Sequence, residues 1–345
     1  MSERIGLIVG VGSIGRRHAV VMAERYEQLF VVDAQSTALD WCRENLGSSA
    51  RLYESIDALI PSIKQSASDV TAVISTWGPY HFPIFSALVN AGVRSIYCEK
   101  PVAVSLKQVS AYAEMIRSYS ISFNTGLHLR YRNLGESIIA LAKTYLGGPP
   151  SLGVVAGGAK CMATNGIHWL DLASCIFGSP PSSVLADLQR HEINPRTSTV
   201  GFWQGVGTWG YSDGRFLSVS YSNYSSVDGT ATWFCPLGTI RVTPSLEILV
   251  DVRNMDEVAK DSRVTRVGEV VPINLPTQPL IDRGSTLARQ LDDLENGSPI
   301  PFEWVSPLST VEALLLAFES SHRQRTLSLP VSNDVLQSSI EWEVS

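Results

Sequence analysis

The run Ile5-Gly6-Leu7-Ile8-Val9-Gly10-Val11-Gly12-Ser13-Ile14-Gly15-Arg16-Arg17-His18 constrains the fold more than any other stretch. Its first five residues are apolar on both faces, the pattern of a buried parallel strand. The strand enters a glycine-rich turn, and the turn opens into a helical pattern that lasts to about Glu27. Each glycine has its own task. Gly10 permits the tight turn, Gly12 lets a pyrophosphate approach the backbone, and Gly15 lets the helix pack closely on the strand. The free N–H groups and positive dipole end of that helix then face phosphate. Gly-x-Gly-x-x-Gly also fits an ordinary turn, so the elements around it decide its meaning.

Those elements alternate. Residues 29–32 form a second short apolar strand that ends at Asp33, about 20 residues past the loop, where the fingerprint expects an acid. Asp33 there accepts hydrogen bonds from both ribose hydroxyls and repels a 2′-phosphate, so NAD is favoured over NADP. No arginine follows among Ala34, Gln35 and Ser36. A turn or helix-capping Asp is the alternative. Helical spacing resumes over 36–46. Residues 70–75 form a strong strand, which ends in Thr76-Trp77-Gly78-Pro79-Tyr80-His81. A helix over 81–91 leads to a strand at 95–98 that ends in Glu99-Lys100-Pro101. Ser105 and Gln108 then make a capping box for a helix to about Tyr119. Residues 120–124 are one more strand. This order predicts a doubly wound parallel sheet, whose ligands bind at the carboxyl ends of the strands. Gly10, Gly12, Ser13, Ile14, Gly15, Asp33, Thr76, Trp77, His81, Glu99 and Lys100 all fall at those ends and are the candidate cofactor contacts.

The 345 residues suit two domains, placed at 1–125 and 126–345. With 44% hydrophobic residues the chain can bury a sizeable core. The net charge of −6 and the lack of a basic block argue against nucleic acid as a partner. The longest apolar runs are strand-sized, so no membrane span is expected. Met1-Ser2-Glu3-Arg4 leads straight into a strand, without the pattern of a secretory signal. Cys42, Cys98, Cys161, Cys175 and Cys235 are scattered, with neither metal spacing nor a disulfide framework. A reducing cytoplasm fits that usage.

From about residue 126 the pattern changes. A helix is expected through Leu141, and Gly147-Gly148-Pro149-Pro150 breaks it. Strand-like segments follow at 151–156, 183–189, 216–221, 230–234, 239–243 and 246–252. Leu217, Val219 and Tyr221 point one way, and Ser218, Ser220 and Ser222 the other. Tight turns such as Pro236-Leu237-Gly238 imply an antiparallel or mixed sheet. Two late helices are expected near 285–295 and 309–321. This α+β half would supply the substrate wall. Within it, Asn165-Gly166-Ile167-His168-Trp169-Leu170-Asp171 sets His168 and Asp171 on one helix face. A packed histidine with a satisfied ring is the plainer role for His168. A zinc site is not expected, because a third ligand at metal spacing is missing.

Taken together, these motifs resemble the Gfo/Idh/MocA-type oxidoreductases, the glucose-fructose oxidoreductase and inositol dehydrogenase family. The resemblance spans nearly the whole chain. Gly10 to His18 resembles the family's cofactor loop, and Glu99-Lys100-Pro101 its Glu-Lys-Pro signature. Arg130 lies where the family has an arginine at the domain crossover. Gly166 to Asp171 resembles its Gly-x-His-x-x-Asp helix, and Leu327-Ser328-Leu329-Pro330 its closing segment. The resemblance implies a Rossmann domain followed by a domain on a large, mostly antiparallel, open-faced sheet. It also implies hydride transfer between NAD(P) and a secondary hydroxyl or ketone of a sugar, cyclitol or nucleotide sugar.

In the family, the lysine matching Lys100 and the helix histidine meet beside the nicotinamide. The chemistry agrees, since oxidising a secondary alcohol needs a base for the proton and a donor for the forming alkoxide. His168 suits the first role and Lys100 the second, with a salt bridge to Glu99 as the plainer role for Lys100. Asp171 would orient His168 or bind a substrate hydroxyl, beside Arg130, Thr164 and Asn165 in the substrate wall. Many members carry an Asp where this chain has Thr164, which shifts the proton role onto His168 and Lys100. The loop's Gly-Arg-Arg-His form is similar to that of members in bacterial surface-sugar pathways. A homodimer or homotetramer through the exposed sheet face is implied. Two other activities stay open: an NAD-assisted lyase or glycosidase with no net redox change, and a cofactor-binding sensor without catalysis.

Overall fold

The computed structural model describes residues 4–48, 50–191, 201–253, 270–275, 280–281, 283–297 and 301–344, the side chains of 283–285 apart. Met1, Ser2 and Glu3 of the leading segment lie outside the described residues. By its contacts the chain divides into two compact units. The first is Met1–Tyr131 with Asp282–Glu303 and Ser339–Ser345, and the second is Arg132–Ile281 with Trp304–Ser338.

The first unit is built on a six-stranded sheet in the order β3-β2-β1-β4-β5-β6. Its strands are β1 Ile5–Val9, β2 Gln28–Val32, β3 Ala50–Tyr53, β4 Val70–Ile74, β5 Ser95–Cys98 and β6 Ser122–Thr125. Every pair is parallel. β1 and β4 are buried along their whole length, which is why they read as mainly apolar runs. The order reverses between β1 and β4, and at such a switch point the loops part and leave a crevice. β3 and the helix Ile56–Ile63 after it have weak sequence signals. β3 is only four residues long, and the helix carries Pro61. The helix predicted over 81–91 begins earlier, at Gly78, and runs to Asn90. Pro79 sits in its first turn, where the missing N–H costs nothing.

A single cut at 125/126 does not describe these units. The helix Arg283–Asn296 belongs to the first of them. Its Leu287, Leu291 and Leu294, spaced for one face, join a core cluster with Ile8, Val11, Met22, Tyr26, Val73 and Tyr97. Glu295 fastens its end. That carboxylate accepts from Arg4 Nη1 at 2.7 Å, Arg25 Nη2 at 2.5 Å, Thr71 Oγ1 at 3.1 Å and the Tyr26 hydroxyl. Gln290 Nε2 donates to the Thr125 carbonyl at 2.9 Å and Ser122 Oγ to the Leu294 carbonyl at 3.0 Å. The terminal segment also returns, with the Trp342 N–H on the Val104 carbonyl at 2.8 Å.

The second unit is built on a nine-stranded sheet in the order β14-β13-β12-β11-β7-β10-β9-β8-β15. Its strands are β7 Leu152–Gly157, β8 Ser183–His191, β9 Phe202–Gly210, β10 Phe216–Tyr221, β11 Thr230–Cys235, β12 Gly238–Val242, β13 Ile248–Arg253, β14 Val270–Ile273 and β15 Leu327–Ser328. Only the β7–β10 pair is parallel. The expected mostly antiparallel sheet is therefore present. Pro236 and Leu237 form the two-residue turn between β11 and β12. β9 was not expected from the sequence: it carries glycines at 205, 207 and 210, which lower its strand signal. Gly207 is needed because a Cβ there would lie 2.5 Å from the Trp209 ring. One sheet face buries Val184, Trp209, Leu217, Val219, Trp233 and Ile240 under the helices Ile167–Phe177 and Pro307–Arg323. The other face exposes Leu185, Val206, Phe216 and Phe234.

Among the described residues no helix is long and apolar enough to cross a membrane. Nor does any group of three His, Cys, Asp or Glu side chains stand ready to hold a metal ion. All five cysteines are free, and four are buried.

Candidate active site

The glycine loop leaves the end of β1 as its spacing demands. Gly10 has φ +90°, the left-handed region that glycine tolerates, and a Cβ on it would meet the Thr76 backbone N at 2.8 Å. Gly15 would place a Cβ 2.0 Å from the Gly10 carbonyl oxygen, so the helix Ser13–Arg25 can sit this close only without a side chain. Gly12 differs. A Cβ there would meet nothing within 4 Å, so the loop opens on free space at the helix start. The helix has no side-chain cap and no acid in its first turn, and its leading N–H groups face that space. An uncapped helix start under an open glycine backbone fits a dinucleotide pyrophosphate. Ser75 holds the loop from β4: its Oγ donates to the Gly10 carbonyl at 2.7 Å. The sequence motif gave no signal for Ser75, because the contact joins two strand ends 65 residues apart.

Asp33 stands at the end of β2. Its Oδ2 accepts from the Val11 N–H at 2.6 Å and its Oδ1 from the Gln35 N–H at 2.8 Å. It therefore organises the glycine loop and the following turn. Each carboxylate oxygen retains a further acceptor site, so the turn role and a ribose role are compatible. Trp77 is 47% exposed at the end of β4, beside the half-buried Thr76. His81 needs correction as a cofactor contact. Its ring is 1% exposed, with Nε2 2.8 Å from the Thr76 carbonyl and Nδ1 2.9 Å from the Pro101 carbonyl. The ring ties the two loops together. Burial lowers its pKa, against the pull of those carbonyls.

A cleft of about 150 Å³ in the first unit gathers chemistry that the sequence distributes widely. Ile14, Arg17, His18, Tyr97, Glu99, Lys100, Gly126, His128, Thr286 and Gln290 are among its lining residues. Glu99 is its centre. Oε1 accepts from His18 Nε2 at 2.8 Å and from the Tyr97 hydroxyl at 3.0 Å, and Oε2 accepts from the Lys100 N–H at 3.2 Å. Burial by itself would raise the Glu99 pKa. The His18 hydrogen bond and the charges of His18 and Lys100 outweigh it and bring the value down to about 2. Burial and the Glu99 charge push the Tyr97 hydroxyl well up, so it stays a donor.

This arrangement links stability to pH. The Glu99 carboxyl lies near 4.5 unperturbed and near 2 in the folded chain. The folded state therefore holds the proton less well, and stability falls as pH drops from about 4.5 to about 2. The loss is of the order of 3 kcal/mol. Urea unfolding followed over that range will show the fall. Glu99→Gln, which has no carboxyl to titrate, will show a flatter profile and a lower stability at neutral pH.

In the second unit, a π-turn at Met162–Gly166 runs into the helix Ile167–Phe177. Such turns break the regular ladder and often accompany functional sites. His168 lies in the first turn of that helix and is 6% exposed. Thr164 is 5% exposed, and its hydroxyl donates to Asn165 Oδ1 at 3.3 Å. The same Oδ1 accepts from the Cys161 N–H at 3.2 Å, so this pair shapes the π-turn. Asp171 needs correction as a substrate ligand. It is fully buried and accepts from Thr310 Oγ1 at 3.0 Å, which joins the helices Ile167–Phe177 and Pro307–Arg323. Arg130, in the short helix His128–Tyr131, is 1% exposed, which does not suit a side chain reaching into solvent for substrate.

Residues 5–126 match the family model described as the Gfo/Idh/MocA oxidoreductase family, NAD-binding Rossmann fold. The match spans the six strands of the parallel sheet, β1 to β6. Solved structures of the same fold cover nearly all of the chain. An oxidoreductase from Agrobacterium radiobacter, solved with NAD+, L-tartaric acid and magnesium, is 18% identical. It aligns over 95% of this chain and 98% of its own with a TM-score of 0.72. UDP-N-acetylglucosamine 3-dehydrogenase from Acidithiobacillus ferrooxidans is 17% identical over 93% and 98%, with a TM-score of 0.67. Myo-inositol 2-dehydrogenase from Lactobacillus plantarum is 17% identical over 95% and 99%, again at 0.67. No curated protein sequence matches the chain. Of the cleft residues, local motifs single out Glu99 and Lys100 and give no separate role to His18, Tyr97, His128 or Gln290. No short motif joins those residues.

Proposed function

We propose that the protein is an NAD-dependent oxidoreductase acting on a secondary hydroxyl or ketone of a sugar, cyclitol or nucleotide sugar. The observation that carries this reading is the open backbone at Gly12, over the uncapped helix start, with Asp33 on one side and Lys100 on the other. β2 lies directly on one side of β1 and β5 on the other side beyond β4, so the acid of the ribose end and the lysine of the reacting end lie apart along the strand edge. Bound NAD would supply the two-electron acceptor.

Gly12, Ser13 and Ile14 would hold the pyrophosphate, and Asp33 the adenosine ribose. Thr76, Trp77 and Glu99 would flank the cofactor. Lys100 would donate to the substrate oxygen as negative charge develops on it, and His168 would take the hydroxyl proton. Thr164 and Asn165 would contribute through the shape of the π-turn. Asp171, buried on Thr310, would position the helix that carries His168. A homodimer or homotetramer would cover Leu185, Val206, Phe216 and Phe234. The likeness to oxidoreductases supports this reading over the sensor alternative, and net formation of NADH separates it from the lyase and glycosidase alternatives.

The cofactor assignment has a direct test. NADH, titrated by its fluorescence, should bind at least about tenfold tighter than NADPH, a difference of roughly 1.4 kcal/mol. Asp33→Ala should narrow that gap, because it removes the charge that repels a 2′-phosphate. Equal binding of both cofactors to the wild type would refute the NAD preference.

A further inference from the structure

We propose that His18 and Glu99 form a positioning pair that sets the place and protonation of Lys100. The proposal deepens the functional reading above, since it concerns the lysine assigned there to the substrate oxygen.

Two sequence motifs meet in this pair. His18 lies on the helix that the glycine loop opens, and Glu99 and Lys100 follow β5. An ionised carboxylate only accepts hydrogen bonds, so His18 Nε2 must carry the proton in the 2.8 Å contact. Tyr97 donates to the same oxygen from within β5. With Oε1 held twice, the carboxylate cannot turn, and Oε2 stays on the Lys100 backbone N–H at 3.2 Å. Gly126 closes the site from β6's end: a Cβ there would lie 2.6 Å from Glu99 Oε2 and 3.1 Å from the Tyr97 hydroxyl. The carboxylate thus has one orientation, fixed from three elements.

The pair also acts through charge. Lys100 lowers the Glu99 pKa, and by reciprocity the Glu99 charge stabilises the Lys100 ammonium. The other ionisable groups lining the cleft are Arg17, Tyr97 and His128. Arg17 and a protonated His128 oppose the ammonium, and Tyr97 is neutral. Glu99 is the anion of this cleft. Glu99 and Lys100 are both half-buried, so the attraction between their charges is screened less than at an exposed site.

Competitive labelling tests the pair without a substrate. Acetic anhydride reacts with the neutral amine alone, and mass spectrometry of the Lys100 peptide gives its acetylation rate against pH. On the protein without cofactor, Glu99→Gln should acetylate Lys100 about tenfold faster below the lysine's own titration, the effect of one unit. His18→Leu, which frees the carboxylate to turn, should also move the profile away from the wild type's. His18→Gln, which keeps an N–H donor, should restore most of the wild-type profile. A role confined to folding would move none of these curves, and ADP-ribose binding reports an intact glycine loop in each variant. An unshifted curve in either Glu99→Gln or His18→Leu overturns the proposal. Failure of the wild type to bind NADH would overturn the function proposed above and leave this test intact.

Discussion

Gly15→Ala is expected to abolish measurable NADH binding and to destabilise the first unit by about 3 kcal/mol. The added Cβ would stand 2.0 Å from the Gly10 carbonyl oxygen, 2.9 Å from its carbon and 3.0 Å from Ser75 Oγ. Two of those atoms are backbone and cannot rotate away. The helix must lift off β1, which misaligns the N–H groups meant for phosphate. Gly12→Ala is the matched control, because its Cβ meets nothing within 4 Å. It should fold as the wild type does and weaken NADH binding alone, through the methyl placed in the phosphate space. Urea unfolding and NADH titration of both variants separate the two effects. A Gly15→Ala protein with wild-type stability would show that the helix is not seated as described.

Turnover should fall by about 10²–10⁴ in Lys100→Met and in His168→Ala, the range for losing an acid–base or charge-stabilising group. The assay is NADH formation from the sugar, cyclitol or nucleotide-sugar alcohol that screening finds active. Cofactor affinity should stay close to wild type in His168→Ala, since its helix lies outside the matched Rossmann segment. Lys100→Arg should retain more activity than Lys100→Met, because it keeps a cationic donor while changing its shape. Undiminished turnover in both Lys100→Met and His168→Ala would reject their assigned roles. Asp171→Asn serves a different purpose. Its carboxylate is fully buried against Thr310, so its first effect should be on stability.

The two units differ in how much of them the sequence discloses. β1, β2 and β4 are legible because a parallel strand buried on both faces needs a mainly apolar run, and β5 and β6 because they continue the alternation of strand and helix. The glycine loop is legible because backbone geometry at Gly10 and Gly15 excludes other residues. β9 is not legible, since its glycines make room for Trp209 at the expense of strand propensity. The helix Arg283–Asn296 is legible as a helix, with Leu287, Leu291 and Leu294 on one face. Its destination is not, because an amphipathic stripe states that it packs and not against what.

The candidate site divides in the same way. By itself the sequence determined a nucleotide-binding strand–loop–helix, an acid at the next strand end, and a Lys and a His in recognisable settings. These follow from local backbone rules and short spacings. Only the tertiary structure decided that His81, Asp171 and Arg130 are buried, that Ser75 holds the Gly10 carbonyl, and that His18 and Tyr97 grip Glu99. Those outcomes depend on which strand ends meet, and a contact between residues 81 positions apart, such as His18 with Glu99, leaves no mark in either local pattern.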